Sequence, residues 1–286
     1  KSGGNFMNQI GEKQNEPDIL KFLFSARFYM NKASFWKNIE IFSVVLLIIL
    51  KTIPIENITK DWVLTLISVI GLFFFNFMYK KNIEIGALTK EYIDCKLYNI
   101  KSENLQSEDT TKIIEYKLKA IKKSKPLYYK EQINNNGTSK KRGVKDWYSV
   151  EKELNLNDAI QKCQSENIYW DNNLVKKYRI ALTILTIFLA VILVFQKNYL
   201  YLITSISCLV IIITELCHSF KYTNTYTKIK TKLDYSSGFT DKSQAILDIQ
   251  KDIFERRKIF IIPDFFHKIS TIELHSSFSE IEKKKN

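Results

Sequence analysis

The chain has 286 residues, 45% hydrophobic and 26% charged, averages that one or two soluble domains would also show. The apolar residues, however, fall into four blocks, with the 43 Lys+Arg and 30 Asp+Glu almost wholly between them, which excludes a single water-soluble globule. Eight Gly and four Pro are too few for an all-β chain or for long disordered stretches, so helices are expected throughout. The net charge of +13 is assigned to membrane flanks, and no nucleic acid polymer is expected as a partner.

Lys1 to Phe6, ahead of Met7, read as an expression scar with no cleavable signal peptide after them, and residues 1–34 are expected to be a cytoplasmic segment. The first apolar block, Ile39 to Leu50, is short for a hydrocarbon core that needs about 20 helical residues. Phe35, Trp36 and Ile53 to Ile55 extend it, with Lys37, Glu40 and Lys51 placed to snorkel from its ends. The second block, Trp62 to Met78, carries no charge and closes a first transmembrane hairpin over 35–79. Blocks Ile180 to Phe195 and Tyr199 to Leu216 form a second hairpin over 180–217. Of the 43 basic residues, only Lys51, Lys60 and Lys197 lie in the two short turns, which places both termini and the long middle segment on the cytoplasmic side of the membrane.

The middle segment, 80–179, is too long for a structureless connection and is expected to be a cytoplasmic helical domain. Ile83, Ala87, Leu88, Ile93 and Leu97 continue the second span as a helix, and Ile114, Leu118 and Ile121 mark another over Thr111 to Ser124, stopped by Pro126. Residues 130–145, containing NNNGTSKKRG, read as an exposed, mobile loop. Asn157 is the expected cap of a helix running into the third span. Residues 218–286 should hold cytoplasmic helices: one to Ser236, one from Asp241 to Phe260 with Ile246, Ile249, Ile253 and Phe254 on a stripe, and a last from Phe265 to Leu274. The fold expected is thus an all-α membrane protein with four transmembrane helices as two hairpins and helical cytoplasmic extensions.

Chemistry is sparse. The three histidines, His218, His267 and His275, fit no metal-ligand or catalytic motif, and there is no glycine-rich phosphate loop, so neither a catalytic nor a metal site is expected. Cys95, Cys163, Cys208 and Cys217 form no C-x-x-C pair.

Four sets of residues occur in a telling order: Gln14–Asn15 and the AR-x-Y of Ala26 to Tyr29; the DWY of Asp146 to Tyr148; the C-Q-x-x-N-x-x-W-D of Cys163 to Asp171; and the I-x-x-R-R of Ile253 to Arg257, followed by Pro263 to Phe266. Arranged around four spans, they resemble the bacterial S-4TM family of pore-forming effectors. Departures from that pattern stand at Phe28, Met30 and Asn31, and at Ser165 where arginine is common. The resemblance implies a membrane effector of antiphage defence, with no cofactor beyond a cyclic oligonucleotide second messenger that activates it. A homo-oligomer would then rearrange, permeabilise the inner membrane as an ion channel or wider pore, and cause abortive infection. The alternative is a membrane-anchored receptor or scaffold that binds a partner protein without forming a pore.

Polar residues within spans are the candidates for a conduction path: Thr65, Ser68 and Asn76 in the second, Thr183 and Thr186 in the third, and Thr204, Ser207, Thr214 and Glu215 in the fourth. The competing reading is that these hydroxyls bond their own helix carbonyls. Candidates for holding a cyclic nucleotide are Trp147, Tyr148, Gln164, Asn167, Trp170, Asp171 and Tyr178, which can stack and hydrogen-bond, with Arg27, Arg256 and Arg257 to neutralise phosphate. Several of these follow helical spacing, as packing between helices would also require.

Overall fold

The computed structural model describes residues 8–52, 58–137, 139, 143–195, 199–239, 241–259 and 261–262, with the backbone alone at 48–52, 58–64, 169–171, 173, 199–201 and 204. Its helices are α1 (Ile10–Lys13), α2 (Pro17–Thr52), α3 (Ile58–Tyr98), α4 (Glu108–Ser124), α5 (Pro126–Asn134), α6 (Leu156–Phe195), α7 (Tyr199–Ser236) and α8 (Ser243–Ile259), with a 3-10 turn at Glu103–Leu105. Among the described residues there is no strand, only an isolated bridge pairing Asn136 with Lys145.

Local chemistry sets the helix ends. Pro17 opens α2 with its φ already helical. The end of α3 is a left-handed cap at Asn99 (φ 55°), and the Ile100 N–H reaches back to the Cys95 carbonyl at 3.1 Å. The cap of α6 is Asn155 rather than Asn157: its side-chain oxygen accepts from the Asp158 N–H at 3.0 Å, in the first turn where that donor has no helical partner. Pro126 ends α4 as expected and also begins α5, because proline is well suited to a first helical position. The helix expected at Phe265 to Leu274 lies outside the described residues.

The chain divides into two compact units. The first comprises the described residues to Met30, Asn82–Trp170 and Asn224–Ile259. Its core joins Phe22, Leu23 and Phe24 of α2 with Ile93 and Leu97 of α3, the inward stripe Ile114, Leu118 and Ile121 of α4, and Ile160 of α6. A second cluster joins Ile168, Ile229, Ile249 and Ile253. The expected loop at 130–145 is corrected here. Residues to Asn134 are helical, and Val144 is fully buried, held by its N–H to the Gln132 carbonyl at 2.9 Å. Gly143 must be glycine, since a Cβ there would lie 1.8 Å from the Asn135 carbonyl oxygen. Lys140, Lys141 and Arg142 lie outside the described residues.

The second unit comprises Asn31–Lys81, Asp171–Thr223 and the described residues after Ile259. Two helical stretches are long and apolar enough to cross a bilayer: Leu174–Phe195, which lies in this unit, and Ser205–Ser236, of which the residues to Thr223 belong to it. Its surface is the reverse of a water-facing one. Phe42, Leu66, Ile70, Phe73 and Phe77 are largely exposed, as are Ile184, Ile187, Phe188, Val191 and Val194, giving apolar faces that hydrocarbon would cover.

Candidate functional site

In the first unit the sequence motifs meet. Gln14 clasps the backbone of Tyr148 from both sides, its Nε2 donating to the Tyr148 carbonyl at 3.0 Å and its Oε1 accepting the Tyr148 N–H at 2.7 Å. Asn15 repeats the arrangement on Asp146, donating to the carboxylate at 2.8 Å and accepting the N–H at 3.0 Å. This pairing steadies Asp146 in a left-handed conformation (φ 51°). The QN and DWY motifs are therefore two halves of one clasp, 131 to 134 residues apart in sequence.

The clasp delivers Tyr148 into a buried polar network. Its hydroxyl donates to Asp94 Oδ1 at 2.8 Å and accepts from Asn167 Nδ2 at 3.0 Å. Asp94 Oδ2 is paired with Arg257 Nη1 at 2.8 Å and accepts from Gln250 Nε2 at 3.0 Å. Gln250 Nε2 also reaches Glu91 Oε2 at 2.8 Å, while its Oε1 accepts from Gln164 Nε2 at 3.3 Å. Gln164 donates further to the Ile246 carbonyl, and Arg256 to the Asn167 carbonyl. Thus α3, α6, α8 and the segment before α6 are tied together by polar contacts in a low-dielectric interior, where each contact is strong and each loss expensive.

Electrostatics follow from that burial. The Glu91 carboxyl is pushed above the ordinary carboxylate range by desolvation, against the pull of Arg257 and the Gln250 amide. Burial likewise raises the Tyr148 and Tyr98 phenols well above their usual value, with Asp94 adding to it, so Tyr148 remains a donor. Desolvation opposes the charge on Arg257, but Asp94 and Glu91 are among the groups that outweigh it and raise its pKa. The Cys95 thiol is pushed up to about 12, chiefly by burial and then by Glu91 and Asp94, which makes it a poor nucleophile. Among the described residues no group of three or more His, Cys, Asp or Glu side chains is disposed to hold a metal.

One cavity of about 180 Å³ opens beside the network. Glu91 and Gln250 form part of its wall, with Ser102, Asn104 and Gln244 supplying further polar groups, Glu103 and Asp248 further acids, and Lys101 and Lys251 cations, Lys251 being paired with Glu103 at 3.4 Å.

The second unit holds a separate buried ionic cluster. Lys37 Nζ contacts Glu40 Oε2 at 2.8 Å and Glu215 Oε2 at 2.9 Å, and lies 4.2 Å from the Tyr79 ring centroid. His218 Nδ1 is 3.8 Å from the same Glu215 oxygen. Lys37, Glu40 and Glu215 are each no more than 3% exposed. Lys37 and Glu40 therefore do not snorkel: a carboxylate on α7 gives Lys37 a partner inside the unit, which removes the reason to reach for water. Arg179 is similarly engaged, bonding the Ser219 carbonyl at 3.0 Å and stacking on Phe220 at 4.2 Å.

Of the expected conduction residues, Thr183, Thr186, Ser207 and Thr214 each donate to the carbonyl four residues earlier, at 2.8 to 3.0 Å. Thr65 is buried, Ser68 and Asn76 are half-buried, and the Thr204 side chain lies outside those described. Of the expected ligand residues, Tyr148, Gln164, Asn167, Arg256 and Arg257 come together, yet as a closed network rather than an open cleft. Arg27 is directed elsewhere, to the Gly143 carbonyl at 2.5 Å. Trp147 is 37% exposed with Lys90 Nζ 5.4 Å from its ring, and Tyr178 is buried in the second unit. The side chains of Trp170 and Asp171 lie outside those described. Sequence reasoning missed Glu91, Asp94 and Gln250. The available signal was a pair of acids three apart on a helix face otherwise apolar, at Ile83, Ala87, Ile93 and Leu97.

Among known proteins, no curated protein and no solved structure matches the chain. A protein family described as the SMODS-associating 4TM effector domain matches residues 8–213, which include the clasp, the Lys37 cluster up to Tyr79 and nearly all of both apolar hairpins. The chain belongs to this family and is an all-α membrane effector associated with cyclic oligonucleotide signalling.

Proposed function

We propose that the chain is a four-span effector of the bacterial inner membrane, with both termini cytoplasmic, that acts without catalysing a reaction. A cyclic oligonucleotide made by a partner synthase binds the first unit; homo-oligomers rearrange and the membrane is permeabilised, ending in abortive infection. The observation that carries the reading is the continuity of α6. This one helix bears Gln164 and Asn167 of the buried network and runs unbroken to Phe195 through an apolar stretch able to span a bilayer. The helix that bears two residues of the network is thus also the one that contributes an apolar spanning stretch.

The cavity beside Glu91 is the messenger's point of entry in this reading. Whole small-molecule sites typically enclose roughly 300–1,000 Å³, so a cavity of about 180 Å³ takes one base or one sugar–phosphate edge, and phosphate would compete with Glu103 for Lys251 in its wall. Two spans per hairpin give a subunit too few helices to enclose a wide path, which is why permeation is assigned to an oligomer.

The test is ion or dye efflux from liposomes bearing the purified protein, scanned with cyclic di- and trinucleotides. Efflux triggered by one nucleotide and lost in Lys251→Glu supports the reading. Nucleotide binding with no efflux in correctly oriented vesicles refutes permeation and favours a membrane-anchored receptor.

A further inference from the structure

We propose that the cavity beside Glu91 reads a guanine base of the messenger, with the Glu91 carboxylate accepting from the N1–H and the N2 amino group of the guanine edge. The inference rests on the messenger reading of that cavity and deepens it by naming the base.

The wall divides by burial. Glu91 and Gln250 are 1% and 2% exposed, whereas Lys101, Glu103, Asp248 and Lys251 are open to solvent, so the first two form the floor and the charged four the rim. The donors of the floor are already spent. Gln250 Nε2 gives one hydrogen to Glu91 Oε2 at 2.8 Å and the other to Asp94 Oδ2 at 3.0 Å. Arg257, whose charge Glu91 feels, is paired directly with Asp94 at 2.8 Å. What the floor still offers is an acceptor: a carboxylate bonded to a neutral amide, in a place where desolvation disfavours the bare charge. A ligand that brings N–H groups relieves that cost, and one that brings oxygens adds to it.

This selects a base over a phosphate. The wall carries three acids, Glu91, Glu103 and Asp248, against two lysines, and Lys251 is already paired with Glu103. Phosphate oxygens are acceptors only, so they have no partner at the floor. Among the bases, a carboxylate is matched best by two N–H donors side by side, as it is by the fork of an arginine. The Watson–Crick edge of guanine carries that pair. Adenine and cytosine each set one amino group beside a ring acceptor, and uracil sets one N–H between two carbonyls, so each turns a lone pair toward the carboxylate. Ile100 and Leu247, also in the wall, supply aliphatic contact suited to the flat faces of a base.

The test is equilibrium dialysis of the purified full chain in mild detergent against cyclic di-GMP, cyclic di-IMP, cyclic di-AMP and cyclic di-UMP. Inosine differs from guanosine only in lacking the N2 amino group, so cyclic di-IMP should bind about tenfold more weakly than cyclic di-GMP, and the adenine and uracil forms about a hundredfold more weakly. Glu91→Gln keeps the shape of the side chain but sets a donor beside an acceptor, which suits the N1 and N6 amino group of adenine. In that variant the ratio of cyclic di-GMP to cyclic di-AMP affinity should fall by about tenfold or more, with adenine binding unchanged or tighter, which general damage to the fold would not produce. Equal or tighter binding of a guanine-free dinucleotide by the parent chain, or a guanine preference that survives Glu91→Gln, overturns the assignment and leaves the messenger reading standing. If none of the four binds, the guanine assignment falls, and the messenger reading falls with it only when the efflux scan of cyclic di- and trinucleotides is silent too.

Discussion

Replacing Lys37 by methionine tests the account of the second unit most directly. The change keeps length and apolar stem but removes the cation that both Glu40 and Glu215 contact. Each contacting oxygen lies under 3 Å from Nζ, so the two are at most about 6 Å apart. At an effective dielectric near 20, two bare carboxylates at that separation repel by about 3 kcal/mol. Breaking a buried pair by removing one partner independently suggests roughly 3–5 kcal/mol. Lys37→Met should therefore lose about that much stability. Glu215→Gln should cost far less, because it leaves one carboxylate per lysine and still offers Lys37 a hydrogen-bond acceptor. Adding Glu215→Gln to Lys37→Met should recover on the order of 1–3 kcal/mol. The assay is reversible unfolding in mixed detergent micelles, followed by the fluorescence of Trp36, which packs on Phe74 and Phe75. A Lys37→Met variant within 1 kcal/mol of the parent, or a double variant no better than Lys37→Met, would refute the argument.

In the first unit, Gln14→Ala strips a buried acceptor from the Tyr148 N–H and a donor from its carbonyl, and should cost roughly 2–4 kcal/mol; amide hydrogen exchange at 146–150 should quicken before the core of α4 opens. Glu91 has a folded pKa above its unfolded value of about 4.3, so its contribution favours folding below that value and is lost as pH rises through the folded pKa. Glu91→Gln should accordingly raise stability at neutral pH and flatten the pH dependence between mildly acid and neutral conditions; thermal unfolding at a series of pH values checks both.

The long helices and apolar blocks were legible because hydrophobic length and helical period are local properties. The stripes Ile114, Leu118 and Ile121 on α4, and Ile246, Ile249, Ile253 and Phe254 on α8, are buried as their spacing predicts. Charge placement was less legible. Lys37 and Glu40 sit where a snorkelling pair would sit, and their burial depends on Glu215, 178 residues away from Lys37. The segment 130–145 misled for a related reason: its composition is that of an exposed loop, and its one buried aliphatic residue, Val144, gives no periodic signal. The order of the QN, DWY and C-Q-x-x-N motifs was visible in the chain, but their mutual hydrogen bonds were not.

Those mutual contacts change what the motif residues can be doing. Tyr148, Gln164 and Arg257 are recognisable by type as nucleotide-binding groups, yet the Tyr148 hydroxyl, Gln164 Nε2 and the Arg257 guanidinium are engaged with other buried groups of the first unit, while Gln164 Oε1 has no hydrogen-bond partner among the described residues. A ligand could recruit them only by breaking contacts that are strong in the interior, so direct binding there would begin with a large unfavourable term. Glu91 and Gln250 differ, because they belong to the network and also line the cavity. A group arriving in that cavity can compete for the Gln250 amide or the desolvated Glu91 carboxyl without opening the core, and the consequence would pass through Asp94 to Arg257 and Tyr148. The motifs are then best understood as the coupling that keeps α3, α6 and α8 in one arrangement until the cavity wall is disturbed, and in the function proposed above the wall is where specificity for a messenger should be sought.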